Sequence, residues 1–160
     1  ALGAIENALL DAKAKTLGIT VLTKQVGKSD SPKAAVQALI SQGVQAFGVP
    51  IDAYFGLRNY EPARDLIEVI SPKNIPAVAF AHVGFSGAVL YVGSEFHTIG
   101  AYSGSQAAKI LKEGAKPETL PVLMQDDLTI LVDLKTSKKL GINLPMGILQ
   151  IAKDVSSERK

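Results

Sequence analysis

Six side chains could share one task by type and place: Asp52, Tyr54, Phe55, His82, Phe85 and Glu95. Each lies just past a short apolar run of strand character, and in open parallel α/β sheets ligands collect outside the carboxyl ends of the strands. Two carboxylates in such a mouth would pair with an ammonium, and the aromatic rings would cover a flat or apolar body. The set suits a small zwitterion or heterocycle. Pro50 and the strand end before it fix the direction of Asp52, whose competing role is to cap a following turn. Any other member could equally be a loop residue without ligand contact.

Other chemistries lack their residues. Cysteine is absent, and the two histidines are far apart in sequence. Glu95 and His97 have no third ligand near them, which argues against a metal site. Asp126 and Asp127 are adjacent, so on a strand they would point to opposite faces and suit a solvated turn better than paired catalysis. The glycine-bearing stretches 84–87 and 100–104 match neither a dinucleotide fingerprint nor a phosphate loop; close helix packing is the expected use of Gly104. No Gly-x-Ser-x-Gly elbow is present. The expectation is binding with no catalytic residue, no metal and no cofactor.

The elements that must position the six residues follow from periodicity. Leu2, Ile5, Leu9, Ala12 and Leu17 keep helical spacing, with Gly18 as a stop. Residues 19–23 are β-branched and read as a strand. Ser31-Pro32 reads as N-cap and first helical position, opening a helix with Ala35, Val36, Leu39 and Ile40 inward and Gly43 at its end. Residues 44–50 form the second expected strand, and the aromatic segment 52–60 reads as a loop. A helix is expected from Glu61-Pro62, burying Ala63, Leu66, Ile67 and Ile70, and closed by residues 71–74. Strands follow at 75–80 and 87–92. A long helix starts at Ser94 or Thr98 and ends at Gly114, with Ala101, Ala108 and Leu111 inward.

This alternation is that of βαβ units, so the expected fold is α/β with a doubly wound, mostly parallel sheet. Such a sheet opens on a central strand, whereas this chain opens on a helix; the first strand is expected to be missing, and the chain is read as a fragment. After residue 117 the rhythm changes. Residues 120–134 are long and extended, interrupted at 125–127, before a short helix at 135–140 and an apolar helix at 146–155. We therefore expect an α/β ligand-binding lobe over 1–117 and a crossover segment over 118–160, packing on the lobe or on its partner.

Composition agrees with a globular chain: 160 residues, 47% hydrophobic and 20% charged. No apolar run approaches the about 20 residues needed to span a bilayer. A net charge of +2, with lysines spread along the chain, gives no nucleic-acid footprint.

Three stretches carry a family resemblance. Gly48-Val49-Pro50-Ile51-Asp52 is similar to a strand-end motif of ABC-transporter substrate-binding proteins of the tryptophan/tyrosine-type branch. Lys109-Ile110-Leu111-Lys112-Glu113-Gly114-Ala115-Lys116-Pro117, followed by Leu120-Pro121-Val122, resembles the family's KILxGxKPxxLPV segment. Leu134-Lys135-Thr136 with residues 139–145 resembles its NLKTAKxLGxxIP closing motif. The similarity spans essentially the whole chain, as the second half of such a protein. Asp133 stands where the family usually has Asn and Ser137 where it has Ala, and the stretch between Asp52 and Ile75 is longer and more aromatic than the common pattern.

The resemblance implies one lobe of a type I periplasmic-binding-protein fold that closes with a second lobe on a small molecule and then docks on a membrane permease. It implies a periplasmic or extracytoplasmic location, with any export signal upstream. A cytoplasmic effector-binding sensor of the same fold is the alternative, and a small Rossmann-like enzyme a third. An open sheet edge would also allow a homodimer.

Overall fold

A computed structural model describes residues 11–27, 29–80 and 84–158, the side chain of Leu57 excepted. Two compact units divide the chain, Ala1–Gln45 and Ala46–Lys160. In the first, residues 11–17 form helix α1. It ends in paired terminal hydrogen bonds, Ile19 N–H to Ala14 C=O at 2.9 Å and Gly18 N–H to Lys15 C=O at 3.3 Å. Gly18 takes φ +67, the left-handed turn that glycine allows at a helix end. Helix α2 spans Pro32–Ile40, and the Ser31 hydroxyl accepts from the Lys33 N–H, the cap its sequence predicts.

Residues 19–23 behave differently from the expected strand. They carry no ladder among the described residues, and Ile19 and Leu22 are 56% and 39% exposed. β-Branched side chains favour an extended backbone, but a strand exists only where a neighbour meets its N–H and C=O groups.

The second unit contains β1 (Phe47–Val49), α3 (Ala53–Ile70), β2 (Ala77–Ala79), β3 (Leu90–Gly93), α4 (Phe96–Glu113), β4 (Thr129–Val132), α5 (Leu134–Lys139), α6 (Met146–Ile151) and β5 (Lys153–Asp154). Its five-stranded sheet keeps sequence order, β1-β2-β3-β4-β5. The first three strands are parallel, β4 runs antiparallel to β3, and β5 is parallel to β4. The fold is therefore α/β with a mostly parallel sheet.

Ala63, Leu66 and Ile70 bury one face of α3 together with Val49, Ala77, Ala79 and Tyr91 of the strands. Their spacing of three and four residues makes one helical stripe, as the sequence predicts. Asn74, at φ +55, closes the turn after α3.

Four expectations need correction. Helix α3 begins at Ala53 rather than at Glu61-Pro62, because Asp52 supplies a cap ten residues ahead of a helix-starting proline. Helix α4 has no buried residue: Leu111 is 84% exposed and Ala101 is exposed, so the inward stripe read from the sequence is not a core face. A Cβ at Gly104 would meet nothing within 4 Å, so close packing does not explain that glycine. The last apolar run stops as a helix at Ile151 and becomes β5, because Lys153 and Asp154 pair with Leu131 and Val132. Val155 is thereby buried.

Candidate functional site

Parallel alignment of β1, β2 and β3 brings their carboxyl ends to one end of the sheet, where the sequence places its candidates. At the exit of β1, Asp52 has an extended backbone, and its Oδ1 accepts the Tyr54 N–H at 2.7 Å. The Asp52 carbonyl accepts the Phe55 N–H at 3.1 Å. Two bonds within one turn start α3 and leave an exposed carboxylate at the strand end. Tyr54 is buried at 9% exposure and Phe55 half-buried, their rings meeting edge-on with centroids 5.5 Å apart.

Two turns further on, α3 is interrupted. Arg58, Asn59 and Tyr60 take φ values of +48, +55 and +62 in succession. Pro62 is the local cause. It has no N–H for the Arg58 carbonyl, its ring crowds that carbonyl, and it disfavours a helical Glu61. Left-handed backbone costs non-glycine residues about 1–2 kcal/mol each. The Arg58 guanidinium paired with the Glu61 carboxylate, and the Arg64 guanidinium donating to the Asn59 carbonyl, hold the break closed.

The break carries the Tyr60 ring to the connection that follows β2. A Cβ on Gly84 would lie 2.8 Å from Tyr60 Cε2, and one on Gly56 would lie 4.0 Å from Cε1. Glycines thus flank both edges of the ring. Phe80, at the end of β2, lies over Gly48 in a similar way: a Cβ there would be 3.0 Å from Phe80 Cε2.

Phe85 is 3% exposed and packs edge-on against Tyr91, with centroids 5.8 Å apart. The Tyr91 hydroxyl donates to the Phe85 carbonyl and accepts from the Ala88 N–H, each at 3.2 Å. Phe85 therefore fixes the floor of the β2–β3 connection. His82 lies outside the described residues.

Glu95 stands at the exit of β3, just before α4. Its N–H donates to Gln125 Oε1 at 3.0 Å, and the Thr129 hydroxyl donates to its Oε1 at 3.1 Å. These partners lie 30 and 34 residues away, so no sequence signal announced them. Among the described residues, no group of three or more His, Asp or Glu side chains could hold a metal ion, and no helix is long and apolar enough to cross a membrane.

Asp52 and Phe55 share one exit, Tyr60 joins that exit to Gly84, and Glu95 closes the row at β3. Sequence reasoning missed Tyr60 and Phe80. For Tyr60 a signal existed in Pro62, whose conflict with a helix begun at Asp52 forces the break.

The second unit is thus a mostly parallel α/β sheet with polar and aromatic side chains at the strand ends. The family model for ABC transporter substrate binding proteins matches residues 4–156, and the chain belongs to that family. Among solved structures it is similar to the ABC domain in complex with L-Trp from Streptococcus pneumonia, at 23% identity and a TM-score of 0.77, over 95% of this chain and 51% of that one. A conserved domain protein from Vibrio cholerae gives 22% identity and a TM-score of 0.76, over 95% and 50%. A ligand-free, open substrate-binding protein with adhesive properties from Clostridium difficile gives 22% and 0.68, over 100% and 51%. The chain thus spans about half the length of these structures. Comparison with curated proteins gives no match.

Proposed function

We propose that this chain forms one wall of the binding cleft in an extracytoplasmic solute receptor that serves an ABC-type importer. The ligand is an amino acid or a small aromatic or heterocyclic solute. One observation carries the reading: the exposed Asp52 carboxylate sits at the carboxyl end of β1, oriented by its own helix cap. In this role it accepts the ligand ammonium, Phe55 covers the ligand body, and Glu95 bounds the mouth from β3. Tyr54 and Phe85 support these positions by packing, and His82 belongs to the set through its sequence position.

The function is binding without bond-making. Contacts from a facing lobe complete the site only in a closed state, so ligand shifts an open–closed equilibrium, and the closed form is what a permease would recognise. The ligand of the Streptococcus pneumonia structure makes L-tryptophan the first probe.

Asp52→Asn is the decisive variant, because Asn caps a helix about as well as Asp while losing the charge. Titration calorimetry of L-tryptophan into the complete gene product should show affinity reduced by more than about tenfold, the size of a lost charge-assisted bond. Unchanged affinity in a normally folded variant would remove Asp52 from the site.

A further inference from the structure

Three consecutive non-glycine residues in left-handed backbone persist only where their surroundings over-determine them, and such strain gathers at ligand clamps. Here the surroundings are two arginine contacts, Arg58 to Glu61 and Arg64 to the Asn59 carbonyl, together with a steric match between Tyr60 and two glycines. An unbroken helix would carry residue 60 about 12 Å along the axis from Asp52, at about 1.5 Å per residue. The break redirects the chain instead, and the ring lies against Gly84 beyond β2. Any side chain at 84 would displace it. The ring is half-buried, with glycine backbone at both edges.

We infer that Tyr60 sets the side-chain specificity of the strand-end mouth, standing as a wall for the flat or apolar body of a bound amino acid. The inference rests on the function proposed above, with Asp52 holding the ammonium end. Division of labour follows. Asp52 acts on every amino acid alike, whereas Tyr60 acts in proportion to the ligand side chain it touches. The strained break supplies orientation, since a ring fixed by its backbone loses little freedom when a ligand packs on it.

The experiment is a calorimetric panel of L-tryptophan, L-leucine and L-alanine on the complete gene product, comparing wild type with Tyr60→Ala, Tyr60→Phe and Gly84→Ala. Tyr60→Ala should weaken L-tryptophan about tenfold or more and L-alanine less than about twofold, the difference being the lost ring contact. Tyr60→Phe should restore the wild-type order, since the contact uses the ring face. Gly84→Ala should reproduce the selective loss by pushing the ring aside, which keeps the test decisive if Tyr60→Ala fails to fold. A merely structural role would lower all three affinities together. Equal loss for all three ligands, or none, while Asp52→Asn still weakens every one, would overturn the role of Tyr60 and leave the proposed function standing. Wild-type protein that binds none of the three would overturn both.

Discussion

Asp52 and Asp133 occupy equivalent places, each leaving a strand and capping the next helix, yet the structure treats them differently. Asp133, between β4 and α5, is 6% exposed. Its Oδ1 accepts the Thr136 N–H and its Oδ2 the Thr136 hydroxyl, each at 2.8 Å, while its own N–H donates to the Val89 carbonyl at 3.0 Å. Asp52 is exposed, and its side chain accepts, among the described residues, the Tyr54 N–H. A carboxylate with both oxygens engaged in the interior is structural. One that keeps acceptor capacity at a sheet's carboxyl end can take a ligand. The same residue in the same local motif is thus interior in one place and open in the other, and the proposed function assigns recognition to the open one.

The contrast should be largest in stability. Asp133→Ala strands the part-buried Thr136 N–H and hydroxyl and should cost about 2 kcal/mol, combining a lost cap with lost side-chain bonds. For a chain of this size that lowers the Tm by about 4–8 °C in calorimetry. Asp52→Ala should cost about 1 kcal/mol or less, because water can replace the exposed cap. If Asp52→Ala proved the more damaging of the two, the comparison would be reversed and the free carboxylate reinterpreted as a structural anchor. Asp52→Asn should shift stability by only a few tenths of a kcal/mol in urea unfolding while still losing ligand affinity. That separation of stability from binding is what distinguishes the two acids.

A third acid sharpens the comparison through pH. The Ser156 hydroxyl, and then the Ser156 N–H, donate to Asp154 and hold its carboxyl below the ordinary value against an opposing desolvation, with the Leu134 N–H adding a further lowering. A depressed folded-state pKa means that the unfolded chain takes up the proton first as pH falls. The stabilisation from Asp154 is therefore full above the ordinary carboxylate range, about pH 4, and is lost as pH drops through the lower folded-state value. Asp154→Asn should flatten this part of the acid unfolding curve by circular dichroism and change little at neutral pH. The same slope in the variant would show that the acid response comes from other carboxyls.

Much of this was legible because its causes lie within one turn of chain. Ser31 before Pro32, Asp52 after Pro50, and Gly18 and Gly114 at helix ends act on neighbours two to five residues away. The stripe of Ala63, Leu66 and Ile70 is likewise a matter of helical period. Misreadings arose where two local signals competed. The Asp52 cap and Pro62 both start helices, and the chain satisfies both by turning left-handed at 58–60.

By itself, the sequence determined the order of the elements, most of their caps, the carboxylate at the exit of β1 and the family, since each rests on local sterics or on motif order. Tertiary structure alone decided that β4 runs antiparallel to β3, that residues after Ile151 become a strand, that Thr129 and Gln125 hold Glu95, and that Gly84 receives the Tyr60 ring. All of these join residues some 20 or more positions apart. No single-turn preference encodes such a pairing; it exists only once sheet formation has brought the two surfaces together.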